Sequence, residues 1–154
     1  MLHTFSMLKN WLILLLIAIS GAVTAQAPVV FVNAGSRAPY GKQQELMIYP
    51  NGLCKYYSGE VNGMLKDSAT FNITAAQLQS FFTKATSVGF FELEKSYNGK
   101  KTDGAGVYIS LNYNGRKKKV YVANTPVPPV DELMKHLNSI LAARAVYLSY
   151  GQPK

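Results

Sequence analysis

The sequence predicts a two-layer α+β domain, an antiparallel sheet of about five strands with two helices on one face, in the order β-β-β-α-β-β-α. Three observations carry this reading. Asn51-Gly52 and Asn114-Gly115 each stand between β-rich runs. Asn-Gly is the strongest short-range hairpin signal, because both turn residues tolerate positive φ. Residues 71–93, FNITAAQLQSFFTKATSVGFFEL, and residues 129–148 carry apolar side chains at helical spacing. Hairpins joined by helices pair antiparallel, and two amphipathic helices can cover one sheet face.

The N-terminal segment is set aside first. Lys9 supplies a positive region, residues 11–19 (WLILLLIAI) form an apolar core, and small residues follow at 21–27. That apolar run is about half of the roughly 20 residues needed to span a bilayer, so residues 1–25 are expected to be a cleaved secretory signal. Val23-Thr24-Ala25 fits the small-x-small cleavage rule, and Ala25-Gln26-Ala27 is the alternative site; a retained anchor is the competing reading. No cysteine follows the apolar run, so no lipoprotein anchor is expected. The mature chain is then exported and does not span the membrane.

Cleavage changes the inventory. His3 and Trp11 leave with the signal, so His136 and Cys54 remain as the lone histidine and the lone cysteine. A single cysteine makes no internal disulfide, so stability must come from the core. A hydrophobic share of 48% against a charged share of 16% is consistent with such a core. Loss of Lys9 from the 16 basic side chains, against 8 acidic, leaves a net charge near +7, a general attraction to anionic surfaces.

The elements follow in order. Residues 26–43 read as an N-terminal strand and loop: 29–32 suit one short strand, and Gly35, Ser36, Pro39 and Gly41 break regular structure. A single domain is expected over 44–148, with a tail at 149–154. Leu46, Met47, Ile48 and Tyr49 lead into Asn51-Gly52, and residues 53–57 return. A two-residue loop would pair Tyr49 with Cys54 and Met47 with Tyr56, placing Leu46 and Ile48 on the face of Lys55 and Tyr57. Residues 59–63 read as a turn and 64–73 as a third strand.

The first helix is the best-specified element. Thr74 and Gln77 have capping-box spacing, Ile73 and Leu78 stand where a hydrophobic staple would form, and Gly89 suits a C-terminal cap. Its apolar positions are Ala75, Leu78, Phe81, Phe82, Ala85 and Val88. Residues 94–106 read as a polar loop with Asn98-Gly99 and Asp103-Gly104 turns. The second hairpin pairs Ile109 with Val120 and Val107 with Val122 on one face. The other face carries Tyr108 opposite Tyr121, Ser110 opposite Lys119 and Asn112 opposite Lys117. Pro126, Pro128 and Pro129 stop the sheet. A second helix follows, with Asp131 and Glu132 near its positive N-terminus and a stripe of Val130, Leu133, Met134, Leu137, Ile140, Leu141 and Leu148.

This order of motifs resembles a family of small exported bacterial domains of unknown function. The likeness rests on L-x-I-Y-x-x-G at Leu46, Ile48, Tyr49 and Gly52, on Tyr57-x-Gly59, and on a helix ending Gly89-Phe90-Phe91. Tyr97, Thr102-Asp103, a basic hairpin and a closing helix complete it, and it extends over about residues 29–143. Many members carry a C-x-G-x-C-P element before the first hairpin, whereas residues 36–41 here are SRAPYG, without cysteine. The resemblance implies export and fold but no activity.

Catalytic chemistry is sparse. Cys54 and His136 are the one possible thiol–imidazole pair, and they would need hydrogen-bond reach and an orienting third group. The structural alternative is a small strand hydrophobe and a half-exposed helix histidine. No ligand cluster stands at metal spacing, Glu92 and Glu94 merely alternate along an extended segment, and no Gly-rich phosphate loop is present. Asn72-Ile73-Thr74 matches a glycosylation acceptor, but Thr74 is explained by capping; Asp67-Ser68-Ala69 resembles a short O-glycosylation acceptor. No catalytic residue, cofactor or metal is expected.

The residues that remain are a surface. Residues 116–119, Arg-Lys-Lys-Lys, border Tyr108, Tyr113 and Tyr121. Tyr108, Tyr121, Arg116, Lys117 and Lys119 are therefore the candidate binding residues, with Tyr56 or Tyr57 beside them. The expected function is an exported, non-enzymatic binding or interaction module of the bacterial envelope, whose partner is an envelope protein or an anionic surface. One alternative is a binder of anionic polymers or lipid head groups through the basic hairpin, the other an unrecognised hydrolase or thiol enzyme. Export argues against nucleic acid as a partner.

Overall fold

The computed structural model describes residues 26–36, 41–60, 65–99 and 104–149. The expected signal, most of the SRAPYG stretch and Thr102-Asp103 lie outside them. The elements are β1 (Val30–Ser36), β2 (Lys42–Ile48), β3 (Leu53–Glu60), β4 (Leu65–Asn72), α1 (Ala75–Ser87), β5 (Ser96–Asn98), β6 (Ala105–Tyr113), β7 (Arg116–Ala123) and α2 (Pro128–Leu141). They build an α+β domain with one seven-stranded sheet, ordered β4-β3-β2-β1-β6-β7-β5.

Seven strands correct the expected five, and the sheet is mixed because β5 runs parallel to β7. Of the two strands beyond five, β1 extends the short strand expected at 29–32, and β5 is not expected at all. β1 lies between β2 and β6, and its Val30, Val32 and Ala34 are fully buried. Gly35 and Ser36, read as breakers, belong to it. β5 has three residues, too few for a period of two to be visible in sequence. It is held by Tyr121 N–H donating to Lys95 O (3.0 Å) and Gly99 N–H donating to Ala123 O (2.8 Å).

The first hairpin differs from expectation by one residue. Its pairs are Ile48–Cys54, Met47–Lys55 and Leu46–Tyr56. Pro50 favours the first central position of a β-turn, and Gly52 takes φ +82°, so the loop gains a third residue between Tyr49 and Leu53. A one-residue slip exchanges the two faces of a strand. Leu46, Ile48 and Cys54 accordingly face the core, and Met47, Lys55 and Tyr57 face away. The second hairpin has the expected two-residue loop, with Asn114 at φ 49° and Gly115 at φ 76°, and the expected pairs.

Local signals account for α1. Thr74 Oγ1 accepts from Gln77 N–H (3.1 Å), and Gln77 Oε1 accepts from Thr74 N–H (2.8 Å). Gly89 follows at φ 70°. Leu78, Phe81, Phe82 and Ala85 are buried, whereas Ala75 at the helix start is exposed. α2 opens on Pro128 and Pro129 and buries Val130, Leu133, Met134, Leu137, Ile140 and Leu141. Leu148 is buried too, but not on the helix. The chain leaves α2 through a 3-10 turn (Ala142–Arg144), reverses at Ala145 (φ 55°), and is held by two amides. Asn138 exchanges two 2.9 Å hydrogen bonds with the Leu148 backbone. Gln44 on β2 donates to Tyr147 O (2.7 Å) and accepts from Ser149 N–H (2.8 Å).

The buried residues of both helices join those of β1, β2, β3, β6 and β7 in one hydrophobic cluster. None of the described helices is long and apolar enough to cross a membrane.

Candidate functional site

Alternation along each strand divides the sheet into a buried face and a second face. Val30, Val32, Leu46, Ile48, Ile109, Leu111, Val120 and Val122 are at most 1% exposed and fill the buried one. The residues between them are half-exposed. Pairing sets Glu45, Asn33, Tyr108 and Tyr121 in one row across β2, β1, β6 and β7. The next row, one pleat along, holds Lys55, Met47, Phe31, Ser110 and Lys119 across β3, β2, β1, β6 and β7. On the other side, Gln43, Gly35 and Gly106 pair in turn.

The rings cluster where β1 meets β6. Phe31 and Tyr108 pack edge to face, with centroids 5.9 Å apart and planes at 68°. Tyr121 lies across Gly106: a Cβ added there would stand 3.1 Å from its hydroxyl oxygen and 3.0 Å from Val122 O. Glycine thus leaves room for the tyrosine on the pleat. Asn33, Gly35, Gln43, Gly106, Tyr108 and Tyr121, with Ser36, line a cavity of about 130 Å³ on this face. The Lys55 ammonium stands 5.5 Å from the centroid of Tyr49 at the far side of the sheet.

The structure brings four of the five predicted surface residues to this face and separates the fifth. Tyr108, Tyr121, Lys117 and Lys119 share it. Arg116 alternates to the other side, where its guanidinium stacks over Phe91 (4.5 Å) and pairs with Glu92 Oε1 at 2.5 Å. Tyr113 goes with it and stacks on Phe82 at 4.2 Å and 10°. Of the two further tyrosines, Tyr57 faces away from the core, while Tyr56 packs against the core and its hydroxyl accepts from Gln44 (2.8 Å). Phe31, Asn33 and Gln43 are not among the expected surface residues: a short strand is expected at 29–32, but the glycine, serine and proline after residue 34 hide its length and its pairing with β2 and β6. The alternation of Val30, Val32 and Ala34 with Phe31 and Asn33 was the available signal.

The thiol and the imidazole are engaged separately. Cys54 is fully buried, and its Sγ donates to Gly52 O at 3.5 Å. Burial pushes the thiol up to about 11, opposed by a backbone hydrogen bond at Ile73 and by the charge of Arg144. A thiol so shifted is a poor nucleophile at neutral pH. His136 Nε2 instead meets Ser80 Oγ across the helices at 3.0 Å. One turn away Lys84 bridges to Glu132 (2.6 Å) and holds that carboxyl below its ordinary value, so Glu132 is occupied rather than orienting the imidazole. Among the described residues, no three His, Cys, Asp or Glu side chains stand together as metal ligands.

A larger cavity, about 580 Å³, opens between α2 and the returning segment, over Met134, Asn138, Ala142, Tyr147 and Leu148. Tyr147 is the one large hydrophobic side chain exposed among the described residues, at 66%. The Asn138 amide in its floor is committed to the backbone of Leu148.

No curated protein matches the chain. Residues 42–141, from the first residue of β2 to the last of α2, match the domain of unknown function DUF6438, and the chain belongs to that family.

Proposed function

We propose that this protein is a non-enzymatic binding module of the bacterial envelope, exported on removal of residues 1–25 and working through the second face of its sheet. In this reading the fold has two layers. Both helices lie over the buried face, and the face of Tyr108 and Tyr121 is left for a partner. The observation that carries it is the meeting of Tyr108 and Tyr121 at a cavity whose described lining residues carry no charge, with Phe31 packed on Tyr108, on a face where the remaining described side chains are mostly polar. Aromatic rings held at a half-exposed surface are the side chains that give binding energy at low entropic cost. The separate engagement of Cys54 and His136 supports a non-catalytic role.

The test is capture from envelope extracts by the tagged protein and by a Tyr108→Ser, Tyr121→Ser variant of matched secondary structure. A bound species retained by the first and lost by the second supports the reading. Equal capture by both, or by neither, overturns it.

A second reading rests on Lys117 and Lys119, which extend the same face beyond the tyrosines. Here the partner is an anionic polymer or lipid head group. Cosedimentation with anionic vesicles should fall steeply as salt is raised, and salt-insensitive or absent binding rules this reading out.

A further inference from the structure

We propose that the cavity between β1, β6 and β7 takes one edge of a pyranose ring of a neutral oligosaccharide. This rests on the reading that the second face of the sheet is the binding surface, and it names the ligand class.

Charge comes first. Among the described residues, no lysine, arginine, aspartate or glutamate lines the cavity. An ionic group seated there would lose water without meeting an opposite charge, which is costly. A neutral ligand loses less. Its polar groups are then decided by what faces them. Asn33 and Gln43 present side-chain amides, which both donate and accept, and the Tyr108 hydroxyl does likewise. Among the described residues none of these three side chains bonds to another protein group, unlike neighbouring Gln44, whose amide is fully used. Groups that donate and accept at once match the hydroxyls of a sugar, which do the same.

Shape points the same way. The rings of Tyr108 and Tyr121 line the cavity beside those amides, and Phe31 packs against Tyr108 one pleat along. A pyranose has apolar C–H faces and a polar rim, and so pairs with both at once. At about 130 Å³ the cavity holds roughly four waters. That is below the roughly 300 Å³ floor of pockets that enclose a drug-sized ligand. One edge of a ring seats in it, with the rest of the ring and chain lying along the sheet.

The experiment is titration of the 15N-labelled protein with three soluble hexasaccharides, β-1,4-linked glucose, β-1,4-linked N-acetylglucosamine and α-1,4-linked glucose, with indole as a neutral aromatic control. At least one saccharide should shift the amides of Asn33, Gly35, Gly106, Tyr108 and Tyr121 while leaving α1 unmoved. Tyr121→Ala should weaken that binding about tenfold. Tyr108→Phe, which keeps the ring and tests the site should the first variant not fold, should weaken it less than Tyr121→Ala and still measurably. The proposal is overturned if no saccharide shifts these amides at millimolar concentration, if indole alone does, or if both variants bind as tightly as the wild type. If saccharides fail while envelope capture still depends on Tyr108 and Tyr121, only the ligand class falls. If capture fails as well, the binding reading falls with it.

Discussion

Gly52 and Gly115 show how one residue type serves two hairpins under different constraints. Both have positive φ, but a Cβ at Gly52 would stand 2.4 Å from Ile73 O, while at Gly115 nothing lies within 4 Å. Gly115→Ala should therefore cost only left-handed strain, about 1 kcal/mol. Gly52→Ala should add roughly 1–3 kcal/mol of overpacking, because the obstacle is backbone. Chemical denaturation of the two variants checks this, and equal losses would contradict it. Cys54 carries a pH signature. Its folded-state value, about 11, lies above the ordinary 9.0, so its protonated form is favoured by folding. That contribution is complete below pH 9.0 and is lost as pH rises toward 11. The stability difference between wild type and Cys54→Ala should shrink across that window, and a constant difference would mean that the thiol ionises alike in both states.

At the scale of elements, local rules and long-range contacts divide the work. α1 is written in its own residues: a reciprocal cap at Thr74 and Gln77, a buried stripe, and glycine at its end. The second hairpin is equally local, because Asn114-Gly115 alone sets its register. The segment after α2 is the opposite case. Leu148 is buried where Asn138 on α2 holds its backbone and Gln44, far away in sequence on β2, holds the backbone of Tyr147 and Ser149 on either side. Asn138→Ala removes two of those hydrogen bonds and should cost roughly 1–3 kcal/mol. Hydrogen exchange at Leu148 should quicken more than at the α1 amides, and uniform acceleration would show that the segment opens only with the whole domain.

For the whole molecule, the strand at the centre of the sheet lies outside the stretch that matches the family. β1 pairs with β2 on one side and β6 on the other, and precedes residue 42, where the match begins. A chain of residues 42–141 alone would lack Val30, Val32 and Ala34 from the core and leave two inner strands as edges. It should show neither a cooperative thermal transition nor dispersed NMR signals, whereas residues 26–154 should show both. A folded 42–141 fragment would mean that β2 and β6 pair directly. β1 also carries Phe31 and Asn33, so the candidate site and the centre of the fold are built from the same strand.

The sequence by itself determined the α+β class, both helices, the β6–β7 register, and the placement of Tyr108 and Tyr121 away from the core. Each rests on a period or turn that a few neighbouring residues impose. Tertiary structure decided the rest. β1 became central because two strands distant in sequence both needed a partner. β5 formed because β7 had a free edge. Pro50 lengthened one loop and so flipped the faces of β3 relative to β2. Arg116 left the basic cluster for Glu92 and Phe91, since alternation along β7 sends neighbouring side chains to opposite faces. The site is therefore only half legible in sequence: its tyrosines lie on one predictable hairpin, while Phe31, Asn33 and Gln43 reach them only through strand pairing.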